Sequence, residues 1–266
     1  MLPTFARNIF KKGITMKTLN ILTASFLGLM SVSTFAATID GSITASEYQW
    51  NTNGAEGSAK WNTHGGTQEL NDASGGDVYD INFLGTNVAG GKFQFGAVGG
   101  EILSGRKVSS TPDIFLSDFA IIVTNPTSAN PTTSSAGFDF AIHLVSVDDG
   151  TGVANFELLS GGTWDGANIY GSAYAPDHIT DTYRMVGGTV LATFQGSWTA
   201  NGGDDNVLEG EFDLSDLGLL SGSGAIISTY LTMACVNDEA LVHADVAAVV
   251  IPPFLMEISS RYFSLC

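Results

Sequence analysis

Residues 78–99 read VYDINFLGTNVAGGKFQFGAVG, and their spacing decides the fold class. Tyr79, Ile81 and Phe83 alternate with Asp80 and Asn82, and Phe93, Phe95 and Ala97 follow the same rule. Successive side chains of a strand point to opposite faces, so a period of two predicts strands with one face on a core. On this reading those six residues face inward. GFDFAIHLVSV, 137–147, repeats the pattern, setting Phe138, Phe140, Ile142 and Leu144 against Asp139 and His143. DFAIIVTN, 118–125, is apolar nearly throughout and predicts a central strand. Further strands are predicted over 153–159, 189–198, 207–214 and 225–235.

Between these runs lie NTNGAEG, NDASGGD, NPTSANPTT, VDDGTG, SGGTWDGAN, TANGGDDN and SGSG. Gly, Asn and Asp tolerate the backbone of tight turns, and strands at this spacing predict a sandwich, not alternating β/α units. One helical turn is expected in LSDLGLL, with Ser215 as its cap and Gly218 as its stop. The expected architecture is all-β: a single antiparallel β-sandwich, jelly-roll-like, over 37–245, with an irregular tail over 246–266.

The first 36 residues read differently. After an upstream extension over 1–15, Met16-Lys17 opens a basic region, 21–32 is apolar, and Thr34 and Ala36 are small residues at −3 and −1. That is the layout of a secretion signal, with cleavage expected near Ala36. The run is too short to span a bilayer comfortably, and the apolar tail is broken by Pro252-Pro253. Export places the protein outside the cell or at its surface. Losing Arg7, Lys11, Lys12 and Lys17 leaves six bases against 27 acids, a formal charge of −21. Such a surface repels nucleic acid and attracts divalent cations. Cys235 and Cys266 are the two cysteines, with no metal-binding spacing; Cys235 is expected buried and no bridge to Cys266 is expected.

TIDGSITASEYQW, 38–50, resembles the opening of carbohydrate-binding family 9-like and DOMON-like β-sandwiches, through Ile39, Asp40, Gly41, Ile43, Glu47, Tyr48 and Trp50. The strand pair in 78–99 and VLEGEFDLSDLGL, 207–219, are similar to later segments of those domains. The resemblance implies that Ile39 starts a strand, that Asp40-Gly41 turns the chain, and that Glu47-Tyr48 packs it against the sandwich edge. A structural calcium ion is also implied. The Gly-rich acidic chain with LTMACVND, 231–238, further resembles exported PEP-CTERM proteins. Its Val250-Ile251-Pro252-Pro253 lacks the Glu and the basic finish of that sorting signal.

The chain has no nucleophile elbow, zinc-protease, phosphate-loop or dinucleotide motif, and its histidines at 64, 143, 178 and 243 are scattered. No catalysis is expected. A lesser reading takes Glu209 and Glu211, on one face of a strand with Asp213, as a glycoside-cleaving carboxylate pair. A solvated acidic strand accounts for the same residues. For calcium, Asp148 and Asp149 before Gly150, and Asp204, Asp205 and Asn206, supply hard oxygen donors in Gly-rich loops, as does Asn71-Asp72 with Asp77. Ordinary Asx turns use the same residues. For sugar, GGTWDGANIYGSAYAPDH, 161–178, offers Trp164, Tyr170 and Tyr174 as a stacking platform, with Asp165 and Asn168 as polar partners. Trp164 plugging the sandwich end is the structural counterpart of that reading, and Trp50, Trp61 and Trp198 are expected to pack. The sequence therefore predicts a calcium-stabilised module for polysaccharide or another extracellular glycan. The alternative is a self-associating surface or matrix protein whose acidic faces meet through divalent ions.

Overall fold

The computed structural model describes residues 36–44, 47–48, 59–61, 78–107, 109–110, 113–124, 137–166, 182–203, 205–234 and 239–247. Fourteen strands occur among them: β1 (Ala59–Trp61), β2 (Ile81–Ala89), β3 (Lys92–Gly99), β4 (Ser109–Ser110), β5 (Asp113–Ile114), β6 (Phe119–Thr124), β7 (Phe140–Asp148), β8 (Val153–Ser160), β9 (Thr163–Gly166), β10 (Thr182–Val186), β11 (Thr189–Thr199), β12 (Asn206–Asp213), β13 (Ile226–Thr232) and β14 (Glu239–Asp245). Ten of them form one antiparallel sheet, in the order β1-β2-β3-β12-β11-β8-β7-β6-β13-β14. β14 also runs close to β2, so the sheet curls round until it nearly closes. The all-β, sandwich-like class expected from the alternation is the observed one. The short β1, β4 and β5, the pair β9–β10 and the seven-residue β14 are not among the predicted strands. In EALVHAD nearly every residue is buried, which erases the alternation that would have marked a strand.

The inner face holds the main core. Phe93, Phe95 and Ala97 point into it as expected, each fully buried. Phe95 is its centre, with ring centroids 5.0 Å from Phe119 and 5.3 Å from Phe156. Room for that ring comes from Gly210, its direct partner on β12, where a Cβ would fall 2.6 Å from the phenyl edge.

Two inward expectations need correction. The register between β2 and β3 shifts between Ile81 and Phe83. An irregularity of one residue reverses the facing of everything beyond it, so Ile81 and Leu84 join the inner core while Phe83 packs on the outside. Phe138 precedes β7 and packs with Ala120, Tyr230 and Leu241, outside the inner cluster that holds Ile142. The predicted helical turn is a 3-10 turn at Leu214–Leu217, ended by Gly218 as expected. Its N-cap is Asp213, not Ser215, and no side chain caps it.

Candidate functional site

The main core fills the inner face of the sheet, so the question is which parts of the outer surface the chain leaves open. The first part, over β2, β3 and β12, is covered by the segment quoted above for its resemblance. Residues 36–44 belong to no strand and instead cross the outer face as a strap, correcting the expectation that Ile39 begins one. Ala37, Ile43 and Tyr48 pack on Phe83, Val98 and Val207. Gly85, Gly96, Glu209 and Ser197 lie side by side in one row across β2, β3, β12 and β11. The Tyr48 ring rests on the two glycines, for a Cβ on Gly96 would come within 2.7 Å of it. Its hydroxyl continues along the row and donates to Glu209 Oε1 at 2.8 Å. Gly41, in the left-handed region at φ 83°, brings its backbone close over Ser197 and Thr199 and donates its N–H to Glu209 Oε2 at 2.8 Å. Asp40 accepts from the Ser42 N–H as an Asx turn does, and Glu47 exchanges bonds with Thr44.

Glu209 is therefore fully buried, and its two oxygens anchor the strap. Glu211 accepts instead from Gln94 Nε2 at 3.0 Å. The pair read as a carboxylate couple serves the covering of the sheet. Burial raises the Glu209 pKa from 4.5 to about 6, against the two donated bonds, which pull it down. A raised pKa means the fold favours the protonated acid. Stability from this group is complete below pH 4.5 and is lost as pH rises through 6, by roughly 2 kcal/mol. Glu209→Gln is expected to abolish that loss. Denaturant titrations of both proteins at pH 4.5 and 7.5 check it; equal pH dependence would contradict the assignment.

A second covered part lies over β6 and β13. Phe138 and Trp164 pack there, ring centroids 6.1 Å apart, and the Trp164 Nε1 donates to the Phe138 carbonyl at 3.0 Å. Trp164 lies on β9, paired with Met185 of β10, and is half-buried against Met185. Asp165 beside it is exposed. Asn168, Tyr170 and Tyr174 lie outside the described residues. Since Trp164 is a packing residue here, Trp164→Ala is expected to lower stability by about 2 kcal/mol. A melting curve matching the parent's would return its ring to the role of a free platform.

The third part is open. On the outer side of β7, β8 and β11, Ser146, Asn155 and Gln195 stand in one row, and His143, Glu157 and Thr193 in the next. Asn155 Nδ2 donates to Ser146 Oγ at 3.1 Å and Gln195 Nε2 to Asn155 Oδ1 at 3.1 Å. His143 Nδ1 lies 2.8 Å from Oδ1 of buried Asp118, whose Oδ2 accepts from the Met185 N–H. A buried carboxylate so held fixes the orientation of the imidazole. A bulge in β7 between Leu144 and Ser146 leaves Val145 52% exposed beside these rows. Together Val145, Asn155, Phe156, Glu157, Thr193, Phe194 and Gln195 line a shallow groove of about 320 Å³.

The described residues among those predicted to hold metal, Asp148, Asp149, Asp205 and Asn206, lie in or beside the β7–β8 and β11–β12 turns. Asp148 Oδ1 closes its own turn, accepting from the Gly150 and Thr151 N–H groups, which hold its pKa low. Asp149 accepts from Arg106 at 2.7 Å and from Trp198 Nε1 at 2.8 Å, and the Arg106 bond is the chief cause of its lowered pKa. Trp198 is buried, as expected of a packing residue. Asp149 and Asn206 line one cleft of about 230 Å³, with Arg106 in its wall. Asp205 faces a different groove, with Gly41 and Ser42 of the strap. Asp204 lies outside the described residues, as do Asn71, Asp72, Asp77, Trp50 and both cysteines. Among the described residues no three acidic, histidine or cysteine side chains converge as a metal-binding group. Asp149, already neutralised by Arg106, and the single amide of Asn206 do not by themselves supply the six to eight oxygens of a calcium ion.

No family model, curated protein or solved structure matches the chain.

Proposed function

We propose that this is an exported, non-catalytic β-sandwich that binds a polysaccharide or other extracellular glycan on the open face of β7, β8 and β11. The observation that carries the reading is the contrast among the outer surfaces. The strap covers one, Phe138 and Trp164 cover another, and the third displays two rows of exposed or half-buried polar side chains beside the part that Met185 and Trp164 cover. A sugar ring has hydroxyls around its rim and an apolar face. Planar amides such as Asn155 and Gln195 both donate and accept, so they pair with neighbouring hydroxyls, while exposed Val145 supplies apolar contact. Linking Asn155 to Ser146 and Gln195 fixes their directions before a ligand arrives. With a formal charge of −17 on the whole chain, a neutral or cationic glycan fits better than an anionic one.

Migration of the chain through gels containing neutral or acidic polysaccharides tests this. Retardation by a neutral polysaccharide, unchanged by chelator, is expected. Retardation lost in chelator would favour the calcium-stabilised module expected from the sequence instead. No retardation, with calcium-dependent light scattering instead, would favour the self-associating matrix protein.

A further inference from the structure

Beyond glycan binding, and resting on the export reading, we infer that the chain is cut between Ala36 and Ala37 and that the new α-ammonium of Ala37 is a structural ligand of the sheet. Ala36 is exposed whereas Ala37 is buried. The compact unit that holds the sheet begins at Ala36, one residue ahead of this cut. The Ala37 backbone is gripped on both sides by one amide: its N–H donates to Gln94 Oε1 at 2.9 Å and its carbonyl accepts from Gln94 Nε2 at 2.8 Å. Gln94 is itself buried and held in place, accepting from Asn87 Nδ2 at 3.3 Å and donating to Glu211 Oε2 at 3.0 Å. A buried side chain thus fills all four of its hydrogen-bonding directions, two of them on the terminus of the strap and two on the sheet residues that hold the amide in place.

Hydrolysis adds one water across the Ala36–Ala37 peptide bond. The C–N bond breaks, a C–O bond forms, and the leader leaves with a carboxylate on Ala36. Ala37 keeps the nitrogen and takes up protons as an ammonium. That group needs an acceptor and a counter-charge in a buried site; Gln94 Oε1 is the acceptor, and the carboxylate of Glu211, bonded to the other end of the same amide, is assigned as the counter-charge. Because Ala37 is buried once seated, the cut comes before the strap docks. Cleavage then exchanges a neutral N–H for a cation on the amide that also bonds Glu211, so the processed chain holds its strap more tightly than the precursor does.

The test compares processed chain 37–266 with chain 36–266, in which Ala37 keeps an ordinary amide and the charge sits one residue outward. At pH 6.5 the 37–266 chain is expected to melt about 2–4 °C higher, and Glu211→Gln, which keeps the shape and removes the counter-charge, is expected to shrink the gap. Equal melting temperatures, or a gap unaffected by Glu211→Gln, would overturn the ligand role. The intact mass of protein collected outside cells expressing the full chain is expected to start at Ala37, and a different start would overturn the cut. Precursor retained whole inside the cells would overturn the cut together with the export reading, whereas equal melting temperatures leave export standing.

Discussion

Tyr48→Ala is expected to lower the unfolding free energy by about 3–5 kcal/mol, and the melting temperature by roughly 10 °C. Three losses combine. The ring leaves its seat on Gly85 and Gly96 and its edge contact with Phe83, at 5.8 Å between centroids. Glu209 Oε1 loses its donor while remaining beneath the strap, and a buried acceptor without a partner is costly. The strap loses its deepest anchor, since Tyr48 is 3% exposed. Tyr48→Phe separates these terms by removing only the hydroxyl, with an expected cost of about 1–3 kcal/mol. Burial beside Glu209 also holds the Tyr48 hydroxyl well above its usual pKa, so it remains a donor at any pH the protein meets. A loss under 1 kcal/mol for Tyr48→Ala, measured by denaturant titration, would mean that the strap contributes little to the fold.

Phe95→Ala is the second large effect, again about 3–5 kcal/mol. Phe95 touches Phe93, Phe119, Phe156 and Phe194, so its removal opens a cavity shared by four strands. Collapse to fill the gap is hindered because Phe156 and Phe194 already stack at 5.2 Å with rings 16° from parallel. Gly210→Ala should act in the opposite sense at the same place, crowding the ring where Phe95→Ala vacates it. Thermal unfolding of both variants checks the pair. If Gly210→Ala costs less than about 0.5 kcal/mol, the core is looser there than the contacts imply.

The period-two pattern revealed the strands because burial of one face is a local property of each run. It failed where burial was decided by distant residues. β3 alternates in sequence, yet Gln94, Gly96 and Val98 are as buried as the phenylalanines between them, because the strap lies on their side. Tyr48 and Glu209 are 161 residues apart, and nothing in a single sequence couples them. The signals present were indirect: glycines inside strands at 85 and 96, which often mark close approach of another group, and an acid among apolar neighbours at 209. The open face was hidden for a different reason. Asn155, Glu157, Thr193 and Gln195 look like any solvated side of a strand until their rows align across β8 and β11. Trp164 drew notice as a loop aromatic among glycines, but pairing of β9 with β10 turns it inward.

The most direct measurement is retardation of the Asn155→Ala/Gln195→Ala double variant by whichever polysaccharide retards the parent, beside Trp164→Ala as reference. Both substituted side chains lie on the solvent side of their strands, so the fold should melt within about 2 °C of the parent. Loss of most retardation in the double variant, with retardation kept by folded Trp164→Ala, is the expected result. Full retardation in the double variant and its loss in Trp164→Ala would contradict the account and place the glycan at the β9–β10 pair instead.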